Sequence, residues 1–205
     1  MKHNQQHPRD AWDEYWRKVS FISFFANFFR KNFLSRPMSK MIDRYFPENG
    51  VFLEAGCGSA TDTFYYQKKS RRFIAMDISE AALQLAVRQK NIDEVKLGDI
   101  CSITFPDNHF DGIWNLGVME HFSNPEMGKA FSEMRRVLKP GAHVILLWPS
   151  VWNLVNAFFW WLFPKMPSLL HSRRQGTEIL KQNNFHPCDS STTIMGDIIL
   201  VGRKI

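Results

Sequence analysis

At 205 residues, with 44% hydrophobic and 22% charged residues, the chain falls in the ordinary range for a single globular domain with one sizeable core. A formal net charge of +6 suits an anionic partner such as a membrane surface, nucleic acid or a phosphorylated substrate, and equally suits solubility alone. The basic residues come as scattered pairs (Lys68-Lys69, Arg71-Arg72, Arg135-Arg136, Arg173-Arg174, Arg203-Lys204), which argues against a nucleic-acid groove, and three distant cysteines, Cys57, Cys101 and Cys188, indicate neither a disulfide framework nor a zinc site and fit a reducing cytosol.

In chain order, residues 1–10 are polar and lack the apolar stretch of an export signal. The run Trp12-Asp13-Glu14-Tyr15-Trp16 follows. Residues 21–33 then carry Phe21, Phe24, Phe25, Phe28 and Phe29 at helical spacing, flanked by Arg17, Lys18, Arg30 and Lys31, as in an amphipathic helix with an aromatic face. From residue 51 onward short apolar runs alternate with helical stretches, the signature of a parallel sheet with crossover helices. The spacing predicts strands at 51–55, 73–76, 96–97, 112–115 and 143–148, and helices at 61–69, 80–89 and 125–138. Ser79 is the expected N-cap of the second helix, with Leu83 and Val87 on one face. Lys139-Pro140-Gly141 is expected to end the third. A helix at 173–183 and two strands at 192–195 and 198–201, separated by Gly196-Asp197, complete about seven strands.

Residues 140–164 lack Asp, Glu, Lys and Arg, and roughly 20 apolar residues suffice to span a bilayer. Pro149 interrupts the run and its first part is claimed by a strand, so a transmembrane helix is not expected. The aromatic stretch 151–163 is read instead as an addition to the core. The expected organisation is a helical lid or cap at 1–50 and an α/β Rossmann-like domain at 51–205 with an aromatic insertion at about 150–168.

The sharpest chemical signal is Leu53-Glu54-Ala55-Gly56-Cys57-Gly58-Ser59-Ala60, an apolar strand running into a glycine turn and then a helix. Glycines at 56 and 58 permit a tight turn and remove the Cβ atoms that would block close approach of a nucleotide-like ligand. Asp77 ends the next strand about 20 residues later, where an acid accepts hydrogen bonds from ribose hydroxyls. Asp99, just past the third strand in Leu97-Gly98-Asp99-Ile100, is placed to receive an adenine amino group.

On these residues, and on Met76-Asp77-Ile78-Ser79, Phe110-Asp111-Gly112-Ile113, Gly117-Val118-Met119-Glu120-His121 and Arg136-Val137-Leu138-Lys139-Pro140-Gly141, the chain resembles the class I S-adenosylmethionine-dependent methyltransferases, in particular the small-molecule group that includes quinone-type enzymes. The resemblance covers residues 51–148 well and the rest in outline. It implies a three-layer sandwich around a seven-stranded, mostly parallel sheet with an antiparallel last strand, and S-adenosyl-L-methionine as cofactor. Glu54, Gly56, Cys57 and Gly58 would surround its methionine part, Asp77 and Ile78 the ribose, Asp99 and Ile100 the adenine, with Asn115 and Leu116 on the substrate side. Many relatives have a third glycine where this chain has Ala60, so a slightly altered turn without loss of binding is expected.

Trp12 to Trp16 resembles the aromatic segment that precedes the core in relatives and closes over the cofactor; it equally reads as an anchor for an N-terminal helix. Tyr15 and His121 are the candidates for proton removal from an acceptor of high pKa. His121 also reads as packing, and a metal role is disfavoured because Gly117 stands where metal-dependent relatives have the first Glu of Glu-x-x-Glu-His. Cys57 reads as a small filler in the turn rather than a nucleophile. The two aromatic additions suggest a hydrophobic acceptor such as a lipid, quinone or apolar metabolite, or a peripheral membrane contact by an otherwise cytoplasmic protein. Nucleic acid is not the expected substrate, since Asn115-Leu116-Gly117-Val118 lacks the Pro-Pro-aromatic signature that clamps a flipped base. A catalytically silent Rossmann-like binding or interaction protein is the alternative, and a nicotinamide dehydrogenase is the other rival, which Glu54 before Gly-Cys-Gly and the Leu-Lys-Pro-Gly stretch fit less well; the oligomeric state is left open.

Overall fold

A computed structural model describes residues 8–29, 35–66, 68–148, 172–194 and 196–205. The phenylalanine side chains of the stretch 21–33, and the whole aromatic insertion after Trp148, lie outside the described residues. The seven strands are β1 (Asn49–Ala55), β2 (Ser70–Asp77), β3 (Glu94–Leu97), β4 (Phe110–Leu116), β5 (Leu138–Trp148), β6 (Phe185–Thr192) and β7 (Ile198–Lys204). They form one sheet in the order β3-β2-β1-β4-β5-β7-β6. The first five are mutually parallel, and β7 runs antiparallel to both its neighbours. This is the parallel sheet that the alternation of patterns implied, and the Rossmann-like sandwich with a reversed last strand that the resemblance implied.

Register sorts the side chains into two layers. Leu53, Ile74, Ile113 and Val144 lie side by side in neighbouring strands and pack under α4 (Asn124–Val137), whose Met127, Ala130, Phe131, Met134 and Val137 recur at helical spacing on its buried face. One residue along, Phe52, Phe73, Trp114 and Ile145 point to the opposite face, against Met38 and Ile42 of α2 (Ser35–Tyr45). Each fully buried Leu, Ile or Phe contributes about 1.5–3 kcal/mol, so this alternation is what fixes the register. Before α4 the Ser123 N–H donates to Glu126 Oε2 at 2.9 Å, closing the helix start.

Several boundaries differ from expectation, each for a local reason. The helix at 61–69 is a 3-10 turn only, Thr61–Tyr65. The Asn91 side-chain amide donates to the carbonyls of Thr63 (2.6 Å) and Tyr66 (3.3 Å), and Tyr66 turns away to bury its ring against Phe73 and Trp114. The second helix is α3 (Glu80–Ala86), capped by Ser79 as predicted. Its buried face is Ala82, Leu83 and Ala86, whereas Val87, just past its end, is exposed. α4 ends at Val137, just ahead of Lys139-Pro140-Gly141 as expected, but these residues belong to β5, which the chain enters directly at Leu138. The extra residues are absorbed by a register shift between the pairs Phe110–Leu138 and Gly112–His143, with Lys139 Nζ held by Asp111 Oδ1 at 2.7 Å. The sixth strand lies at Phe185–Thr192 instead of 192–195. Thr193 and Asp197 close the hairpin by mutual backbone and side-chain hydrogen bonds (Thr193 N–H to Asp197 O, 2.8 Å; Asp197 N–H to Thr193 Oγ1, 3.0 Å). The helix α5 (Arg173–Gln182) agrees with prediction, its start capped by Ser172. Among the described residues no helix is long and apolar enough to cross a membrane.

Candidate active site at the carboxyl edge of the sheet

After β1 the chain pairs β2 on one side and later β4 on the other, so a crevice opens beyond the carboxyl ends of β1 and β4, where open parallel sheets hold ligands. The glycine turn sits at its floor. Gly56 and Cys57 both donate their N–H to the Met76 carbonyl, at 2.8 and 2.9 Å, which pins the turn to the end of β2. Gly56 (φ +76°) and Gly58 (φ +53°) occupy the left-handed region, open to glycine without steric penalty. A Cβ on Gly56 would stand 2.8 Å from Val118, and one on Gly58 only 2.4 Å from the indole of Trp16. Ala60 also takes a left-handed conformation (φ 49°, ψ 24°). The turn thus keeps the backbone form a glycine would adopt, at about 1–2 kcal/mol for the Cβ.

Asp77 is the polar centre of the crevice. Its Oδ2 accepts the Gly58 N–H at 2.7 Å and its Oδ1 the Ser79 N–H at 2.9 Å. Burial pushes its carboxyl pKa above the ordinary Asp value, against the pull of the Ser79 and Gly58 N–H donors, and the neighbouring Asp13 adds to the rise. Ile78 is half-buried beside it. The Gly98 N–H donates to the Asp77 carbonyl at 3.0 Å, which brings the Gly98-Asp99-Ile100 loop alongside. Asp99 is exposed, with Oδ1 accepting the Cys101 N–H at 2.8 Å, and Ile100 is buried.

Glu54 is buried at the end of β1, in register with Ala75 and Trp114. Asn115 and Leu116, at the end of β4, are both buried and turn to opposite faces of the sheet. Neither amide atom of the Asn115 side chain has a hydrogen-bond partner among the described residues, and a buried amide in that state is suited to a ligand's polar groups. The Cys57 thiol contacts the Gly58 carbonyl at 3.3 Å, the position of a filler inside the turn. A glycine turn, a buried carboxylate and an amide with no partner among the described residues, on adjacent strand ends, fit a nucleoside-bearing ligand.

The N-terminal helix α1 (Pro8–Phe29) lies against this crevice. Trp12 meets the His121 ring edge-on with centroids 5.1 Å apart, Tyr15 stands between Trp12 and Trp16 at 5.6 and 5.5 Å, and Trp16 covers Gly58. The structure therefore brings both candidates for proton removal, Tyr15 and His121, to the rim beside the glycine turn. His121 Nε2 is 3.8 Å from Glu120 Oε1, beyond hydrogen-bond reach. Among the described residues no three His, Cys, Asp or Glu side chains gather as a metal site. Two participants escaped the sequence reading. Val118, packed on Gly56, offers no signal beyond its place in the Gly-Val-Met-Glu-His run. Asp13, which bonds to Ser79 and Ala81, is 66 residues from its partner, a separation no local pattern reveals.

Residues 53–146 match the family model described as "Methyltransferase domain". The chain is 33% identical over 95 residues to a malonyl-[acyl-carrier protein] O-methyltransferase of Yersinia pestis, covering 46% of this chain and 35% of that one. It is 30% identical over 112 residues to a demethylmenaquinone methyltransferase of Symbiobacterium thermophilum, covering 50% of this chain and 44% of the relative. The chain thus spans less than half the length of these two relatives. In fold it is similar to magnesium protoporphyrin IX methyltransferase from Synechocystis, solved with bound SAH, at a TM-score of 0.70 and 17% identity over 96% of this chain and 98% of the other.

Proposed function

We propose that this chain, whose residues 53–146 match the methyltransferase-domain model, is a class I S-adenosylmethionine-dependent methyltransferase that transfers a methyl group to a small, hydrophobic acceptor at the mouth of the crevice. The observation that carries the proposal is the meeting of Gly58 and Asp77: one carboxylate ties the glycine turn to the end of β2 and keeps lone pairs for two vicinal hydroxyls. When bound, the cofactor supplies an electrophilic methyl carbon on a good leaving group, so that holding the acceptor at near-attack distance accounts for much of the acceleration.

In this reading each residue has a limited task. Asp77 holds the ribose, with Ile78 as an apolar edge. Ile100 packs against adenine, and Asp99 receives its amino group on the oxygen not used by Cys101. Glu54 and Asn115 hold the polar end of the methionine portion, the latter with the amide that has no partner among the described residues, while Cys57 and Leu116 fill space. Tyr15 and His121 stand at the rim to take a proton from an acceptor that must lose one. Of the first fifty residues, α1 acts as a helical cap on the crevice, whereas α2 belongs to the core layer against the sheet. The hydrophobic acceptor is supported by the two aromatic additions to the sequence and by the likeness to a relative named for demethylmenaquinone. The basic residues beside the phenylalanine stretch support peripheral contact with an anionic membrane by a cytoplasmic protein.

The test is calorimetric titration of the full chain with S-adenosylmethionine, alongside Asp77→Ala and an NAD control. Micromolar binding by the wild type, weakened at least tenfold in the variant and absent for NAD, is the expected result, and it would justify screening hydrophobic acceptors. No binding would overturn the enzyme reading in favour of an interaction protein, and binding of NAD instead would replace it with a dehydrogenase.

A further inference from the structure

A closed ring of contacts joins α1 to both halves of the crevice floor. Asp13 Oδ1 accepts the hydroxyl of Ser79 and, at 3.1 Å, the N–H of Ala81. Ser79 is fully buried; its Oγ accepts the Ala82 N–H at 3.1 Å and its own N–H holds Asp77 Oδ1. Asp77 in turn holds Gly58, and Gly58 lies under Trp16, three residues after Asp13 on the same helix. A single carboxylate thereby takes up a free donor at the start of α3 and fixes the hydroxyl of the residue that aims Asp77. The Arg9–Glu80 ion pair one turn earlier is solvent-exposed and adds little. The adjacent Glu14 is exposed and paired with Lys18, so it does not duplicate the contact.

We propose that Asp13 is a positioning residue that clamps the N-terminal helix to the loop carrying Asp77, so that helix docking and cofactor binding are one coupled event. The coupling rests on the cofactor reading given above; the clamp itself does not. The Ser79 hydroxyl holds the Asp13 carboxyl below the ordinary Asp range, so the clamp is ionised near neutral pH. If only the docked helix presents a finished crevice, apparent affinity falls with the docked fraction. A carboxylate that merely capped α3 would affect stability without affecting affinity.

The experiment uses the full chain as wild type, Asp13→Ala and Asp13→Asn, the last keeping an acceptor oxygen without the charge. Hydrogen exchange is followed over residues 8–18 and 77–82 without ligand, with β4 and β5 as the internal control of folding, and S-adenosylhomocysteine affinity is measured by calorimetry. Asp13→Ala is expected to speed exchange in both segments, leave β4 and β5 unchanged, and weaken affinity about tenfold, with Asp13→Asn affected less. Unchanged exchange at 8–18 would overturn the clamp. Unchanged or tighter affinity with a loosened helix would overturn the coupling, tighter binding meaning that the docked helix occludes the crevice. If the wild type does not bind, the cofactor reading falls and the coupling with it, while the ligand-free exchange still decides the clamp. Should Asp13→Ala fail to fold, Asp13→Asn carries both measurements.

Discussion

Replacing Gly58 with alanine tests how the N-terminal helix meets the glycine turn. The new Cβ would stand 2.4 Å from Trp16 Cζ2 and 2.8 Å from Cη2, where carbon pairs prefer about 3.5–4.0 Å; the indole must therefore retreat by roughly 1 Å. The left-handed φ of +53° adds about 1–2 kcal/mol for any Cβ. The turn can bear it, since Ala60 already sits at φ 49° two residues on. Trp16 belongs to a surface helix while Gly58 is tied to Asp77 and β2, so the helix gives way, forfeiting about 1 kcal/mol of packing. A total near 2–3 kcal/mol lowers the apparent Tm by roughly 5–10 °C for a chain of this size. Thermal unfolding of wild type, Gly58→Ala, Trp16→Ala and the double variant separates the two parts: in the Trp16→Ala background the glycine substitution should cost only its backbone share, leaving a coupling of about 1 kcal/mol. Strict additivity would refute the reasoning, because it would mean that Trp16 does not rest on Gly58.

Ala60 provides a companion test: Ala60→Gly, which trades backbone strain against chain entropy and one buried methyl, should change stability by less than about 1 kcal/mol, whereas Ala60→Val, β-branched in a left-handed conformation, should cost more than about 2 kcal/mol; urea midpoints decide both. His143 on β5 has its pKa lowered from 6.5, chiefly by burial and then by Arg203, its partner across the β5–β7 ladder. The folded protein therefore keeps this histidine neutral while the unfolded chain protonates first, so stability falls as the pH drops below about 6.5. His143→Gln should flatten the urea midpoint between pH 7 and 5, and an unchanged slope would show that the ring is not desolvated.

The sheet was legible because its signals are local. The short, continuously buried runs at residues 52–55 and 112–115, the Ser79 cap and the Gly-Cys-Gly turn each arise from a few neighbouring residues, and the site residues they carry fall along one edge. What sequence reading missed depends on distant partners. The helix after Ala60 was cut short by Asn91, some 25 residues downstream. Pro140-Gly141, ordinarily a stop, was drawn into β5 because Leu138 pairs with Phe110 while Lys139 reaches Asp111. The final hairpin was misplaced since residues 185–192 show no clean alternation and contain Pro187. Asp13 could not be found at all without knowing that α1 folds back over α3.

The two outer strands of the sheet also bear on how the molecule behaves in company. β3 is only four residues long and exposes Lys96. At the other margin β6 carries Pro187, which has no N–H to offer, and an irregularity between Pro187 and Asp189 where its pairing with β7 slips. Short length, an outward charge, a missing donor and a bulge are the devices by which natural sheets discourage a stray strand from adding on. A protein so finished at both margins can remain crowded at high concentration, or transiently exposed during folding, without offering a template for cross-strand aggregation.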